Sequence, residues 1–239
     1  MRRLLARIPG MPPLSDEMHP WYQGALGELE VGRMLAALPD DYTVFHSVPV
    51  GTGRADIDHL VVGPGGVFTI NTKHHRGRNV WVAGTTFMVS GQRQPHIRRS
   101  SREAAGVTAT LRRRLPAAPA ARGVIAVVGA KQLRITAAPA DVTVLDAARL
   151  RRWIMKQKRM LAPDALAATV AALDSPGNWR DDAPAAPHAV AEFARLHRSV
   201  RAARRVRVMW GLGVVAASLI AVPAVGPMLW SMVAGALLP

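Results

Sequence analysis

The sequence predicts an α/β domain built as a mixed sheet flanked by helices. Three observations support this prediction: a helix-spaced apolar stripe comes first, short apolar runs bounded by glycine and proline follow, and a second helical stretch separates them from a further buried strand. The order helix, three strands, helix, strand is typical of a sheet that carries helices on its faces.

The predicted elements follow one another along the chain. The run 24–38 has helical spacing, and YTVFHSV over 42–48 is typical of a strand. Two further strands, DIDHLVVG and GVFTINTK, join through a Gly-Pro-Gly-Gly turn that is tight enough for a hairpin. The remaining predictions are a hairpin at Ala83-Gly84, an arginine-rich helix over 96–115, strands over 123–130 and 142–145, a helix over 147–157 and a helix after Pro163.

Composition divides the chain into predicted segments. The mixture DSPGNWRDDAPAAP resists regular structure and is typical of a linker. Prolines interrupt the first residues before any apolar run long enough for a secretory signal, so we expect no cleaved leader. The predicted boundaries are an N-terminal extension over 1–23, the α/β domain over 24–173, the linker over 174–190, a basic juxtamembrane segment over 191–207 and a transmembrane segment over 208–239.

The C-terminal run carries no charged residue from Val208 to Pro239, and it exceeds the roughly 20 apolar residues that a membrane-spanning helix needs. Arginines precede the run, which predicts that the α/β domain faces the cytoplasm. A buried C-terminal helix in a soluble oligomer is the alternative. The residues predicted to contact anionic lipid are Arg201, Arg204, Arg205 and Arg207.

The charge balance is strongly basic. Thirty-one Lys and Arg stand against sixteen Asp and Glu, a formal net charge of +15, which favours nucleic acid, anionic lipid or both as partners. A solvated basic surface is the plain alternative. The absence of cysteine from the sequence excludes disulfides, thiolate metal sites and a cysteine nucleophile.

Two neighbouring strands carry the polar residues that indicate chemistry. Because side chains alternate along a strand, Asp56 and Asp58 share one face, and Asn71 and Lys73 share one face of the next strand. Glu28 joins them from the first helix, where apolar residues three and seven positions later place it on an inward stripe. Carboxylate and amide oxygens suit Mg²⁺ (or Mn²⁺), and a lysine can stabilise a phosphate under attack. The pattern favours phosphodiester hydrolysis.

These motifs resemble a known family. GALGELE and ADIDHLVVGPGGVFTINTKHHRG resemble the NERD (nuclease-related) domain, which is similar to nucleases of the PD-(D/E)xK superfamily. The resemblance covers about 24–115 and implies a restriction-endonuclease-like core. It implies that Asp58 is the metal-binding aspartate, Lys73 the catalytic lysine and Glu28 the acid of the first helix. Asn71 departs from the family pattern, which most often has Glu or Asp there.

Asn71 leaves two functions open. An amide supplies one neutral oxygen where an anion would have stood, so a metal binds more weakly and a nucleophilic water loses its base. The chain is either a nuclease in which Asp56 or Glu28 makes up the missing charge, or a non-catalytic adaptor or interaction module at the membrane. A plain ion pair between Lys73 and an aspartate is the structural alternative.

Arginines extend the predicted site toward a polyanion. They either contact phosphates or form the solvated face of a helix, and no motif for reading bases accompanies them. The predicted contact residues are Arg93, Arg98, Arg99 and Arg102. Among the histidines, His59 is predicted to be an interior or interface residue, and His74 and His75 are predicted to be exposed in a loop.

Overall fold

Helices precede, separate and follow two runs of strands in the computed structural model, which describes residues 14–15, 17–49, 56–175, 195–203, 205–219 and 221. The described part of Pro20–Asp182 forms one compact unit. Its elements in chain order are α1 (Met18–Leu35), β1 (Thr43–Pro49), β2 (Asp56–Gly63), β3 (Gly66–His74), β4 (Asn79–Ala83), β5 (Thr86–Val89), β6 (Gln92–Gln94), α2 (His96–Arg114), β7 (Arg122–Val128), β8 (Gln132–Ala137), β9 (Val142–Asp146), a 3-10 turn (Ala147–Arg149), α3 (Leu150–Met155) and α4 (Pro163–Asp174).

The larger sheet runs in the order β1-β2-β3-β7-β9. Its first three strands are antiparallel, and β7 and β9 are parallel to their neighbours, so the predicted mixed sheet is confirmed. The glycine turn between β2 and β3 is also confirmed: Gly63 pairs with Gly66, whose φ of +116° favours glycine. Arg122 stabilises this turn by donating a hydrogen bond to the carbonyl oxygen of Gly65 at 2.8 Å.

Helices cover both faces of the larger sheet. On one face, Leu35 of α1 and Ile154 of α3 pack around Phe68 of β3. On the other face, Leu111 of α2 packs with Leu60 of β2. The helix α2 also forms the crossover that a parallel pairing of β7 with β3 requires. Burial of both faces explains why β2, β3 and β7 are nearly continuous apolar runs.

A second sheet, in the order β6-β5-β4-β8, packs on the α2 side of the first. The predicted hairpin at Gly84 is confirmed as β4 and β5, and Gly84 has a φ of +53°. The sequence did not predict β6 and β8, because β6 has only polar residues and β8 is largely exposed. The strand β8 is short, and its place at the edge of the sheet is set by pairing with β4 and by the contact of Leu133 with the core.

The predicted membrane span is not supported. Among the described residues, no helix is long and apolar enough to cross a membrane. Residues 195–203, 205–219 and 221 are helical, while 220 and 222–239 of the predicted span lie outside the described residues. Also outside them are 1–13 and 16 of the predicted extension, 176–190 of the predicted linker, and Arg204 of the predicted lipid contacts.

Candidate active site

The predicted polar residues meet where β2 begins and β3 ends. In this antiparallel pair His59 lies opposite Ile70, and one step further the same register places Asp58 opposite Asn71. Opposite residues of two strands share a face, and Lys73 follows Asn71 by two positions. Asp58 and Lys73 therefore lie on the same face of the sheet, which is the arrangement that the sequence predicted.

The carboxylate of Asp58 is fixed by the neighbouring strand. Its Oδ2 accepts a hydrogen bond from the backbone N–H of Thr72 at 2.5 Å. Burial raises the pKa of Asp58, and the charge of Asp56 adds to this increase. The charge of Lys73 and the hydrogen bond from Thr72 act in the opposite direction and lower the pKa. The negative charge of this carboxylate is therefore only partly balanced by groups of the protein, and a bound cation would balance the rest.

Glu28 comes to the same place from α1. Burial raises the pKa of Glu28, Asp58 and Asp56 raise it further, and Lys73 lowers it. Because Coulomb influence falls with distance, these mutual effects indicate that the groups are close together. The structure thus brings Glu28, Asp56, Asp58 and Lys73 to one end of the β2 and β3 hairpin.

Lys73 is held by the backbone. Its Nζ donates to the carbonyl of Thr72 at 3.1 Å, and its charge lowers the pKa of Glu28, Asp58 and Glu103. No carboxylate in the described part of the chain lies within salt-bridge distance of Lys73. A plain ion pair therefore does not explain its position, and the ammonium group is available to a bound anion.

Asn71 contacts an acid that the sequence did not predict. Its Nδ2 donates a hydrogen bond to Oε2 of Glu103 on α2. Burial raises the pKa of Glu103, the Asn71 bond and Lys73 lower it, and Asp58 raises it. Glu103 thus brings a carboxylate from the helix to the position where the strand carries an amide.

The sequence contains a signal for Glu103. Between residues 59 and 140 the sequence contains thirteen Lys and Arg but a single Asp or Glu, which is Glu103. It also lies three residues after Ser100 and four before Val107, both buried on α2, so helical spacing turns it inward. An inward acid on a basic helix needs a partner, and this marks it as a site candidate.

The predicted phosphate contacts separate onto two sides of α2. Arg98 and Arg102 line one cavity with Arg93, while Arg99 lies close enough to Glu103 to lower its pKa. Within the residues that the structure describes, no carboxylate lies within salt-bridge distance of Arg93, Arg98 or Arg102. These three guanidinium groups are therefore available to an external phosphate.

His75 corrects the prediction of an exposed loop residue. It is half-buried with a buried Nε2, and its ring stacks on His96 at a centroid distance of 5.8 Å. Burial, and then the charge of Lys73, lower the pKa of His75 to about 4 and that of His96 to about 3. Both rings are therefore neutral at neutral pH and add no positive charge beside Lys73.

His59 is interior, as predicted, with 3% of its surface exposed. Its Nδ1 lies 2.8 Å from Nδ1 of His46. Burial, and then His46, lower the pKa of His59 from 6.5 to about 4. Between these two pH values His59 is protonated in the unfolded chain and neutral in the folded chain, so protonation favours unfolding. The contribution of His59 to stability is therefore fully present above pH 6.5 and is lost as the pH falls toward 4.

We expect His59→Asn to reduce the loss of stability that the protein shows on acidification. The variant removes the group whose protonation favours unfolding, so its melting temperature should fall less between about pH 7 and pH 5. Thermal unfolding followed by circular dichroism measures the difference. His19→Asn, at an exposed position of α1, is the control and should respond like the wild type. Equal responses in both variants would contradict the assignment.

The donor chemistry of the site fits a hard divalent cation. Glu28, Asp58 and Glu103 are carboxylates whose pKa values are raised, in each case mainly by burial, and carboxylate oxygens are the ligands that such a cation prefers. Among the described residues, no three Asp, Glu or His side chains are placed to hold one ion. Mg²⁺ commonly binds through one or two carboxylates and keeps several waters, so a partial set is sufficient. The ligand set with Asp56 and Asn71 stays a prediction.

Comparison with known proteins identifies the domain. Residues 23–128 match the family model described as the nuclease-related domain, NERD. The chain carries a NERD domain. This confirms the resemblance seen in the sequence, and NERD belongs to the PD-(D/E)xK-like nuclease superfamily. The NERD domain contains each of the site residues Glu28, Asp56, Asp58, Asn71, Lys73 and Glu103.

Individual proteins are similar over parts of the chain. An uncharacterized protein of Bacillus anthracis is 41% identical over 70 residues, which are 28% of this chain and 32% of that protein. The structure of Pyrococcus furiosus SfsA in complex with Ca²⁺ matches 63% of this chain and 52% of that chain, with 14% identity and a TM-score of 0.23. The aligned region thus spans 32% of the curated relative that it matches.

Proposed function

We propose that the chain is a divalent-metal-dependent nuclease that cleaves phosphodiester bonds of DNA or RNA. The observation that supports this proposal is the meeting of Asp58, Glu28, Glu103 and Lys73 at one end of the NERD domain sheet. Buried carboxylates with raised pKa values beside an available ammonium group are typical of a catalytic site, and costly in a purely structural one.

Each residue has a distinct role in the proposed reaction. Asp58, with Glu28 or Glu103, would hold Mg²⁺ or Mn²⁺, which when bound supplies an acidified water and neutralises phosphate charge. Lys73 stabilises the negative charge that develops on the attacked phosphate. The raised pKa of Glu103 suits it to accept a proton from the attacking water, and Asn71 orients its carboxylate.

The nucleic acid is held by phosphate contacts in the proposed complex. Arg93, Arg98 and Arg102 line a cavity on one side of α2, and Arg99 lies on the side of Glu103. Contacts to phosphates position a strand without reading its bases. We therefore expect little sequence preference and an affinity that falls steeply with salt.

A nucleic-acid adaptor without catalysis is the second candidate. One observation favours it: Asn71 is neutral at the position where the family pattern most often has an acid. The two candidates differ in one result. The adaptor binds nucleic acid with a steep dependence on salt but leaves it intact in the presence of metal.

Cleavage by the full chain tests the nuclease proposal. The purified protein is incubated with plasmid DNA and with single-stranded RNA, in Mg²⁺, in Mn²⁺ or in EDTA. We expect degradation that requires the divalent ion, because the carboxylates alone cannot activate water or neutralise phosphate. Degradation that continues unchanged in EDTA would contradict metal dependence, and binding without degradation would favour the adaptor.

We also propose that the chain is held at a membrane with the NERD domain on the cytoplasmic side. The uncharged run from Val208 to Pro239 and the arginines before it support this proposal, with Arg201, Arg204, Arg205 and Arg207 as contacts to anionic lipid. We expect the full chain to sediment with membranes and a chain ending at Ala203 to remain in the supernatant. Equal partition of the two chains would refute the proposal.

A further inference from the structure

A tryptophan lies between arginines on the outward face of the second sheet. Trp81 of β4 is opposite Met88 of β5, which is opposite Arg93 of β6. On its other side Trp81 pairs with Arg134 of β8. Paired positions of neighbouring strands share a face and are about 4.8 Å apart, so these four side chains form a row across the sheet. We call this the tryptophan row.

The side chain of Trp81 does not belong to the core. It is 37% exposed, whereas Val80 and Val82 on the opposite face of the same strand are 1% and 0% exposed. Among the residues that the structure describes, no aromatic ring or cation is stacked on the indole of Trp81. The exposed part of this large ring, on which no other ring or cation is stacked, is available for a ligand.

The electrostatic environment of the tryptophan row is positive. The strands β4, β5, β6 and β8 contain no Asp or Glu, and both Arg93 and Arg134 are exposed. Arg93 also lines the cavity that Arg98 and Arg102 share, where these three cations stand against one acid, Asp141. Positive charge therefore continues from the tryptophan row to α2, the helix that supplies Glu103 to the candidate active site.

We propose that the tryptophan row binds single-stranded DNA or RNA, with one base stacked on Trp81 and backbone phosphates on Arg93 and Arg134. An aromatic face between cations provides both interactions that a single strand offers, a free base plane and a phosphate chain. In a duplex the base planes are covered by their neighbours, so the indole selects for the single strand. The binding of a single strand does not depend on the nuclease proposal. Only the statement that this strand is the substrate rests on the proposed function.

Binding by the full chain tests the inference. Fluorescence anisotropy is measured with a labelled single strand and with the same sequence as a duplex. We expect Trp81→Ala to weaken single-strand binding about 5- to 100-fold, because one stacked base is lost, and to change duplex binding less than about twofold. Trp81→Phe keeps a stacking ring and should keep most of the affinity. Arg134→Gln should reduce the slope of log affinity against log salt concentration by about the value of one phosphate contact.

Trp21→Ala is the matched control, because Trp21 is 84% exposed on α1 and lies outside the tryptophan row. It should bind both nucleic acids like the wild type. Wild-type affinity of Trp81→Ala for the single strand would overturn the inference, as would an equal loss on both substrates. Since Trp81 faces water, thermal unfolding should show that the variants are folded.

The outcomes for the two proposals are separable. A chain that binds single strands through Trp81 but cleaves nothing supports the tryptophan row and rejects the nuclease. A chain that cleaves while Trp81→Ala binds like the wild type supports the nuclease and rejects the tryptophan row. A chain that binds no nucleic acid rejects both.

Discussion

Replacing Asp58 by Asn or Lys73 by Ala should lower the metal-dependent cleavage rate by about 100-fold or more. Loss of one group that stabilises transition-state charge typically costs this much. Asp58→Asn removes the charge that would hold the cation but keeps an oxygen that can accept the N–H of Thr72. Lys73→Ala removes the ammonium group that no carboxylate of the described residues holds in a salt bridge. Single-turnover cleavage of a labelled oligonucleotide measures both rates.

Matched controls separate a catalytic loss from a structural one. Asp164→Asn at the start of α4 and Lys158→Ala after α3 change the same charges at exposed positions, and should cleave like the wild type. Asp58→Asn should also be at least as stable as the wild type at neutral pH. Burial raises the pKa of Asp58, so its ionised form disfavours the folded state as pH rises, and the amide removes that cost. Cleavage that is unchanged in both site variants would indicate a contaminating nuclease.

Replacing Glu103 by Gln should lower the cleavage rate by about 100-fold, the effect expected for loss of a general base. Because burial raises the pKa of Glu103, we expect the wild-type rate to increase with pH as this group ionises. The variant should lose this limb of the pH profile. Glu30→Gln, an exposed acid on α1, is the control and should keep both the rate and the profile.

A charge exchange tests whether Glu103 supplies the acid that Asn71 lacks. The double variant Asn71→Asp with Glu103→Gln restores one carboxylate and one amide in exchanged positions. We expect it to recover a large part of the activity that Glu103→Gln loses, since the hydrogen-bonded pair keeps its total charge. A Glu103→Gln variant with wild-type rate and pH profile would show that Glu103 only orients Asn71.

The candidate site was predictable from the sequence wherever it depends on local periodicity. Asp58 and Lys73 share a face because the glycine turn sets a tight hairpin and side chains alternate along each strand. Glu28 lies inward because the apolar residues that follow it on α1 are spaced for a helix. These rules operate within a few residues, so one sequence was sufficient to apply them.

Two features depend on contacts between distant parts of the chain. Glu103 meets Asn71 across 32 residues because α2 packs on the sheet, and no spacing in the sequence specifies that pair. The tryptophan row forms because β8 pairs in parallel with β4, about 50 residues earlier, and no local pattern in the sequence specifies that pairing.

The mixed sheet and the shared face of Asp58 and Lys73 were predictable because turn chemistry and side-chain periodicity are local properties, and the NERD domain was predictable from the resemblance of its motifs. Three features required the folded structure: the hydrogen bond from Asn71 to Glu103, the half-burial of His75 and the exposure of Trp81. Each of these depends on the packing of elements that are remote in sequence, and that packing is fixed by the burial of all apolar faces together.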